Sequence, residues 1–108
     1  MDLETLTLPL AEAIDIPAME REQIIKAATR AYLNRHPGKQ VTAEILDRAC
    51  VNYVRHELTT YDRFISKVAS CHSFDALLGI FRRRVYRAIA DTYPWLETEC
   101  DRQLAARS

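Results

Sequence analysis

The densest group of polar residues in this sequence is the run Arg-His-Glu-Leu-Thr-Thr-Tyr-Asp-Arg at positions 55–63. If the run is helical, Arg55, Thr59 and Asp62 fall at i, i+4 and i+7 on one face, where the guanidinium can reach the carboxylate and the hydroxyl. A guanidinium suits a carboxylate or a phosphate, and a histidine carries a proton near neutral pH. We therefore define a candidate functional cluster: Arg55, His56, Thr59, Tyr61 and Asp62.

The same cluster also has a structural interpretation, which the spacing alone favours. An ion pair and a helix cap at this position would fix a kink, and an exposed pair would contribute about 1 kcal/mol at most. An enzyme would instead need Arg55, His56, Tyr61 and Asp62 around one concave pocket. The sequence names no reaction, so enzyme activity stays open and is not our expectation.

A second charged feature lies at positions 80–90, which hold four arginines and no acidic residue. We call these the basic ridge: Arg82, Arg83, Arg84 and Arg87. Burial of the apolar positions of this helix turns Arg83 and Arg87 outward and leaves the other two arginines at the flanks. Four arginines support about four phosphate contacts, enough for weak, salt-sensitive binding. In the alternative interpretation, the ridge pairs with the acidic residues that follow it.

The cysteines and glycines exclude several kinds of site. Cys50, Cys71 and Cys100 are odd in number and lack CxxC spacing, which argues against a disulfide framework and a zinc ribbon. Cys71 and His72 are adjacent but have no partners at ligand spacing, and Cys50 is expected to fill the core. The two glycines are too far apart to form a phosphate-binding loop. We expect no metal and no cofactor.

The elements that must position these residues are predicted to be helices. Glycines are few and alternating β-branched runs are almost absent, which is typical of an all-α protein. We predict a small bundle of three to five helices in one domain, with residues 18–108 as the helical core. Residues 1–17 are predicted to form an extended arm, because the alternating Thr5-Leu6-Thr7-Leu8 stretch ends at Pro9. The leucines of this arm should pack against the bundle or another chain.

The first predicted helix follows Pro17 and runs to about Arg35. Its expected buried stripe is Ile25, Ala28 and Tyr32. A Pro-Gly turn ends it.

The second predicted helix begins after Thr42 as its N-cap and places Arg55 and Thr59 on its wet face. Two alternatives stay open near Thr59: one helix continues to about Val68, or a kink separates residues 43–58 from residues 60–68. The third helix, capped by Ser73, has the strongest periodicity of apolar positions, and a short C-terminal helix follows Pro94. The apolar positions of the third helix are Phe74, Leu77, Leu78, Phe81, Val85, Ala88 and Ile89.

One motif resembles a small domain-of-unknown-function family. The matching residues are Tyr53-Val54-Arg55-His56-x-x-Thr59-x-Tyr61-Asp62, then Arg84-x-x-Arg87 and Trp95. The likeness covers about residues 41–95, and Pro37-Gly38-Lys39 stands where some members carry a glycine- and arginine-rich loop. This resemblance implies a helical fold and brings no established activity.

Composition limits the class of function. The chain has 108 residues, of which 48% are hydrophobic and 28% are charged, a composition typical of one globular domain. Its 15 basic and 15 acidic residues cancel, so the net charge gives no general attraction to phosphate polymers. Without a basic N-terminal leader or a spanning apolar run, we expect a soluble, cytoplasmic protein that does not enter membranes. We expect a noncatalytic protein-interaction or regulatory module that binds a protein partner or itself through the arm. The alternative is nucleic-acid binding by the basic ridge.

Overall fold

A computed structural model describes residues 3–71 and 75–107, which form six α-helices and no strand in those ranges. The helices are α1 (Leu3–Ala13), α2 (Arg21–Arg35), α3 (Ala43–Tyr53), α4 (Tyr61–Cys71), α5 (Asp75–Thr92) and α6 (Glu97–Arg107). A π-helical turn, Val54–Leu58, extends α3, and a 3-10 turn, Pro94–Leu96, precedes α6. The all-α prediction is confirmed, although the helices number six rather than three to five.

The extended arm predicted for residues 1–17 is wrong, because most of it forms α1. Leu6, Leu10 and Ala13 recur at i, i+4 and i+7 and are buried. Pro9 lies inside this helix on its exposed side. A proline in a helix costs about 3 kcal/mol, whereas burying two leucines contributes about 1.5–3 kcal/mol each, so burial offsets the lost hydrogen bond.

Helix α2 begins at Arg21, a few residues later than Pro17 suggested. The side-chain oxygen of Gln23 accepts a hydrogen bond from the Glu20 backbone N–H at 3.2 Å, which fixes this end. Ile24 and Ala28 are the buried residues of α2, while Ile25 is only half-buried. Of the predicted stripe, Ala28 is therefore confirmed as buried, whereas Tyr32 is half-buried and Ile24 takes the buried position expected for Ile25.

The chain after α2 turns where the sequence predicted. Gly38 has a φ of +82°, a conformation that suits glycine. Thr42 then stands at the N-cap position of α3, as expected, with extended backbone angles but without a side-chain cap hydrogen bond.

The core lies where α5 meets its neighbours. Helix α5 packs mainly against α6, α2 packs against α3, and α1 packs against α4. The fully buried side chains of α5 are Phe81, Val85, Tyr86 and Ile89. Leu77, Leu78 and Ala88 are half-buried, and the predicted positions Ser73 and Phe74 lie outside the described residues.

The two described free cysteines belong to this core. Cys50 and Cys100 are buried, and burial raises the pKa of each thiol to about 12. These thiols are therefore protonated near neutral pH and act as apolar fillers, as expected for Cys50. Within the described ranges, none of the helices combines the length and apolar character needed to cross a bilayer.

Candidate functional site

The π-helical turn at the end of α3 positions Arg55 and His56. The backbone N–H of Val54 faces the carbonyls of Cys50 and Val51, and Thr59 then becomes extended, with φ −124° and ψ 165°. The structure therefore selects the kinked alternative, with a break before α4. Turns of this type occur frequently at functional sites because the wider turn re-aims side chains.

Arg55 lies on the core side of this turn rather than on the wet face that helical spacing predicted. Its side chain is only 12% exposed. The Nη1 group donates a hydrogen bond to the Tyr86 hydroxyl at 2.8 Å, and Nη2 donates to the Nε2 of His56 at 2.9 Å. The Nε of Arg55 is buried, makes no hydrogen bond to the residues that the structure describes, and lies 3.8 Å from an Asp62 carboxylate oxygen. The ionic contact with Asp62 thus partly offsets the burial of the guanidinium.

His56 is held in one tautomer by its two neighbours. A guanidinium has no acceptor, so Nε2 must accept the hydrogen bond from Arg55. The proton of the neutral ring is then on Nδ1, which donates to the carboxylate of Asp62. Both ring nitrogens are used within the protein, so this arrangement leaves no free nitrogen to act as a general base on a substrate.

Thr59 organises the break between α3 and α4. Its hydroxyl donates to the carbonyl of Arg55 and accepts a hydrogen bond from the Tyr61 N–H at 3.2 Å. Such threonine-centred turns replace the backbone hydrogen bonds that a helix break removes. The backbone N–H of Thr60 donates to the carbonyl of Ala13 at 3.0 Å, which ties the break to α1.

A hydrogen-bonded chain runs from Arg55 to α6. The Tyr86 hydroxyl accepts from Arg55 and donates to the side-chain oxygen of Gln103 at 2.8 Å. The amide of Gln103 donates to Glu99 at 2.9 Å, and Arg102 pairs with the same carboxylate at 2.9 and 2.5 Å. Burial raises the pKa of Glu99, but the hydrogen bonds from Arg102 and Gln103 outweigh it, so the pKa is lowered overall.

Sequence reasoning missed Tyr86 and Gln103, which complete this network. Tyr86 lies next to Val85 and three residues before Ile89, so it could have been recognised as a widening of the apolar stripe of α5. No local signal connects Gln103 to Arg55, because the link passes through a tyrosine on another helix.

A cavity of about 310 Å³ lies beside the cluster. The cavity is lined by Arg55, Tyr61, Asp62, Ile65, Ser66, Leu78, Arg82 and Tyr86. Burial raises the pKa of Tyr61, while the nearby charges of Arg82 and Arg55 act in the opposite direction. His56 does not line this cavity, so the cavity holds only three of the four residues required for the enzyme hypothesis. The geometry favours a structural role for the His56–Asp62 pair.

The basic ridge is divided between two surfaces. Arg82 is half-buried in the cavity beside Arg55, whereas Arg83, Arg84 and Arg87 are exposed. Among the residues that the structure describes, no carboxylate lies within 4 Å of any of the four guanidiniums. The alternative prediction of direct ion pairs between the ridge and the acidic C-terminal residues is therefore wrong for this part of the chain.

We call the surface beside the exposed arginines the α5 groove. The groove has a volume of about 540 Å³ and is lined by Ile14, Ile80, Arg83, Arg84, Arg87, Ala88 and Asp91. A smaller cavity of about 130 Å³ lies towards α6, where Arg83 and Arg87 share the lining with Glu97 and Asp101. The ridge thus combines guanidiniums with apolar side chains on one side and faces carboxylates on the other.

The described part of the chain has no cluster of side chains that could bind a metal ion. Within residues 3–71 and 75–107, no three His, Cys, Asp or Glu side chains are placed to hold one ion. His72, which we considered with Cys71, lies outside the described residues.

No family model, curated protein or solved structure matches the chain. The resemblance of residues 41–95 to the domain-of-unknown-function family stays a prediction.

Proposed function

We propose that this protein is a noncatalytic interaction module whose α5 groove binds an acidic segment of a partner protein. The observation that carries the proposal is the exposure of Arg83, Arg84 and Arg87 without a carboxylate within 4 Å in the described residues. Three neighbouring guanidiniums repel one another, and carboxylates of a partner would relieve this repulsion.

The apolar part of the groove supports a protein partner. Ile14, Ile80 and Ala88 line the same surface as the arginines. Protein interfaces combine an apolar centre with polar surroundings, and arginine is enriched in them. A segment that places an apolar side chain on Ile80 and carboxylates beside the arginines would match this surface.

Nucleic-acid binding is the second candidate, favoured by the same three arginines. Against it, Arg82 is turned into another cavity, Asp91 lines the groove, and Glu97 and Asp101 lie on the neighbouring surface. Specific nucleic-acid interfaces are large and strongly positive, and three exposed arginines supply about three phosphate contacts. The charge distribution therefore favours an acidic protein segment.

The α5 groove replaces the N-terminal arm as the proposed docking surface. Leu6 and Leu10 are buried in the core of the chain itself, and among the α1 leucines whose exposure the structure describes only Leu8 is exposed, at 68%. A single exposed leucine is normal on a protein surface and does not make an interface.

The test selects peptides from a random-peptide phage library on the full chain. We expect the selected peptides to be enriched in two or more carboxylates near an apolar residue. The double variant Arg83→Glu/Arg87→Glu should lose at least about tenfold in affinity for them, about 1.4 kcal/mol. The matched control Lys26→Glu/Arg30→Glu makes the same charge change on exposed positions of α2 and should bind as the wild type does.

Two results would contradict the proposal. The first is selection of peptides without acidic enrichment, and the second is equal loss of binding in both double variants. A parallel titration with DNA and RNA oligonucleotides at about 50 mM salt tests the second candidate, because phosphate contacts are strongest at low salt. Tight oligonucleotide binding that is lost in Arg83→Glu/Arg87→Glu, without peptide selection, would favour nucleic acid instead.

A further inference from the structure

A further cleft lies between α2 and α3 and extends to Glu57 of the π-helical turn, but none of the five residues of the candidate functional cluster lines it. Its floor consists of alanines, where larger residues would fill the space: Ala28 and Ala49 are buried and Ala31 is half-buried. The cleft has a volume of about 220 Å³. This is less than the roughly 300–1,000 Å³ typical of sites for drug-sized ligands, so it suits a smaller molecule.

The charges around this α2–α3 cleft leave one cation without an anion. Arg35 lies 3.6 Å from the Glu57 carboxylate, so these two lining residues neutralise each other. Arg48 lines the cleft as well, and no carboxylate among the described residues is within 4 Å of it. Its charge contributes to lowering the pKa of Glu99 without contact. The lining thus carries one net positive charge when His36 is neutral.

Polar and aromatic groups stand beside Arg48 in the same cleft. Asn52 is four residues further along α3, so it lies on the same helix face. Within the described part of the chain, the side chains of Asn52, Tyr53 and His36 make no hydrogen bond to another protein group. The rings of Tyr32 and His36 are in contact, with centroids 4.5 Å apart and planes inclined by 38°, so one wall of the cleft is aromatic.

We infer that the α2–α3 cleft binds a small organic monoanion, a carboxylate carried on a planar ring. Arg48 would receive the carboxylate, because a guanidinium matches its two oxygens with parallel donors. Asn52 supplies a further donor and acceptor, and the tyrosine rings with the alanine methyls pack against the planar part. One net positive charge matches a monoanion better than a phosphate dianion. The site is independent of the α5 groove, because it lies on other helices.

The experiment titrates the full-length, isotopically labelled chain with sodium benzoate and, separately, with inorganic phosphate, observed by amide NMR. Benzoate should produce saturable shifts at residues around Ala31 and Asn52, with weaker or no saturation by phosphate. Arg48→Gln removes the charge, and Ala31→Leu fills the cleft while keeping every charge. Each should weaken benzoate binding by at least about tenfold.

Arg30→Gln is the matched control, since Arg30 is an exposed arginine on α2 outside the cleft lining. This variant should bind benzoate with unchanged affinity. If Ala31→Leu does not fold, Arg48→Gln at its exposed position decides the question alone. The inference is overturned if benzoate gives no saturable shifts at the cleft, if Arg48→Gln binds benzoate unchanged, or if phosphate binds as tightly as benzoate.

Discussion

The hydroxyl of Tyr86 connects two other elements of the protein by hydrogen bonds. It accepts a hydrogen bond from Arg55 and donates one to Gln103, so one oxygen satisfies partners on two other elements. Tyr86 is itself fully buried. Buried polar groups stabilise a fold only when each one finds a partner, so this residue determines whether the network stabilises or destabilises the core.

Removal of this hydroxyl should therefore be costly. We predict that Tyr86→Phe lowers the free energy of unfolding by about 1–3 kcal/mol, because Arg55 and Gln103 each lose a partner in a buried environment. Urea denaturation measures the change. Tyr53→Phe removes a hydroxyl that makes no hydrogen bond within the described residues and should change stability by less than about 0.5 kcal/mol. Equal effects of the two substitutions would contradict the importance of the network.

The sequence correctly predicted which residues lie near Arg55, but it predicted the wrong arrangement of the backbone between them. Arg55, Thr59 and Asp62 do lie together, as their spacing suggested. They meet across a helix break rather than along one helical face, so Arg55 faces the core. Local spacing cannot show the partner Tyr86, which is 31 residues away in sequence, because periodicity contains no information about contacts between helices.

At the scale of elements, the decisive feature is the break between α3 and α4. The capping pattern at residues 59–62 already allowed a kink, but the choice between kink and continuous helix depended on the hydroxyl of Thr59 and on the contact from Thr60 to α1. A continued helix would direct the N–H groups of Thr60 and Tyr61 to carbonyls four residues earlier and so remove their bonds to Ala13 and to the Thr59 hydroxyl. The break is also what lets Asp62 approach His56 and Arg55.

Thr59→Ala tests the break directly. We predict a loss of about 0.5–2 kcal/mol in the free energy of unfolding, the range measured for loss of a capping hydroxyl, because the carbonyl of Arg55 and the N–H of Tyr61 lose their shared partner. The matched control is Thr60→Ala, since Thr60 is exposed and contributes its backbone groups, which the substitution keeps. Thermal denaturation followed by circular dichroism compares the two. A greater loss in Thr60→Ala would contradict the role assigned to Thr59.

The helix that the sequence predicted best is the one with the longest apolar stripe. Helix α5 was the clearest, and its buried positions Phe81, Val85 and Ile89 were expected. Helix α1 was missed because both local signals, the alternating leucines and Pro9, argue against a helix. The segment is helical because its apolar residues at helical spacing pack against the rest of the bundle. A short window of sequence contains no information about this packing, which overrides the local preference.

At the scale of the whole molecule, the N-terminal segment closes the bundle. The carbonyl of Ala13 accepts a hydrogen bond from Thr60, and the Tyr93 hydroxyl donates to the carbonyl of Pro17. These bonds connect the segment to the start of α4 and to the end of α5. Burial of Leu6 and Leu10 adds to them, so the first residues are part of the core rather than an appendage.

Leu10→Ala should consequently destabilise the entire chain. We predict a loss of about 2–5 kcal/mol in the free energy of unfolding, because Leu10 is completely buried and its truncation leaves a cavity. The single tryptophan, Trp95, lies in the 3-10 turn under the guanidinium of Arg21, 4.8 Å from the ring centroid, far along the chain from Leu10. If the molecule unfolds as one unit, the urea midpoints measured by tryptophan fluorescence and by circular dichroism coincide, and Leu10→Ala lowers both equally.

Leu8→Ala is the control in the same helix, because Leu8 is mostly exposed, and it should change stability by less than about 0.5 kcal/mol. In Leu10→Ala, the Trp95 fluorescence could change at the same urea concentration as in the wild type while the helical circular dichroism signal decreases at a lower one. This result would mean that α1 unfolds separately. In that case the N-terminal segment would again be available for partners, and the docking surface would have to be reassigned. Coincident transitions at a lower urea concentration would place α1 inside the cooperative core and leave the α5 groove as the proposed docking surface.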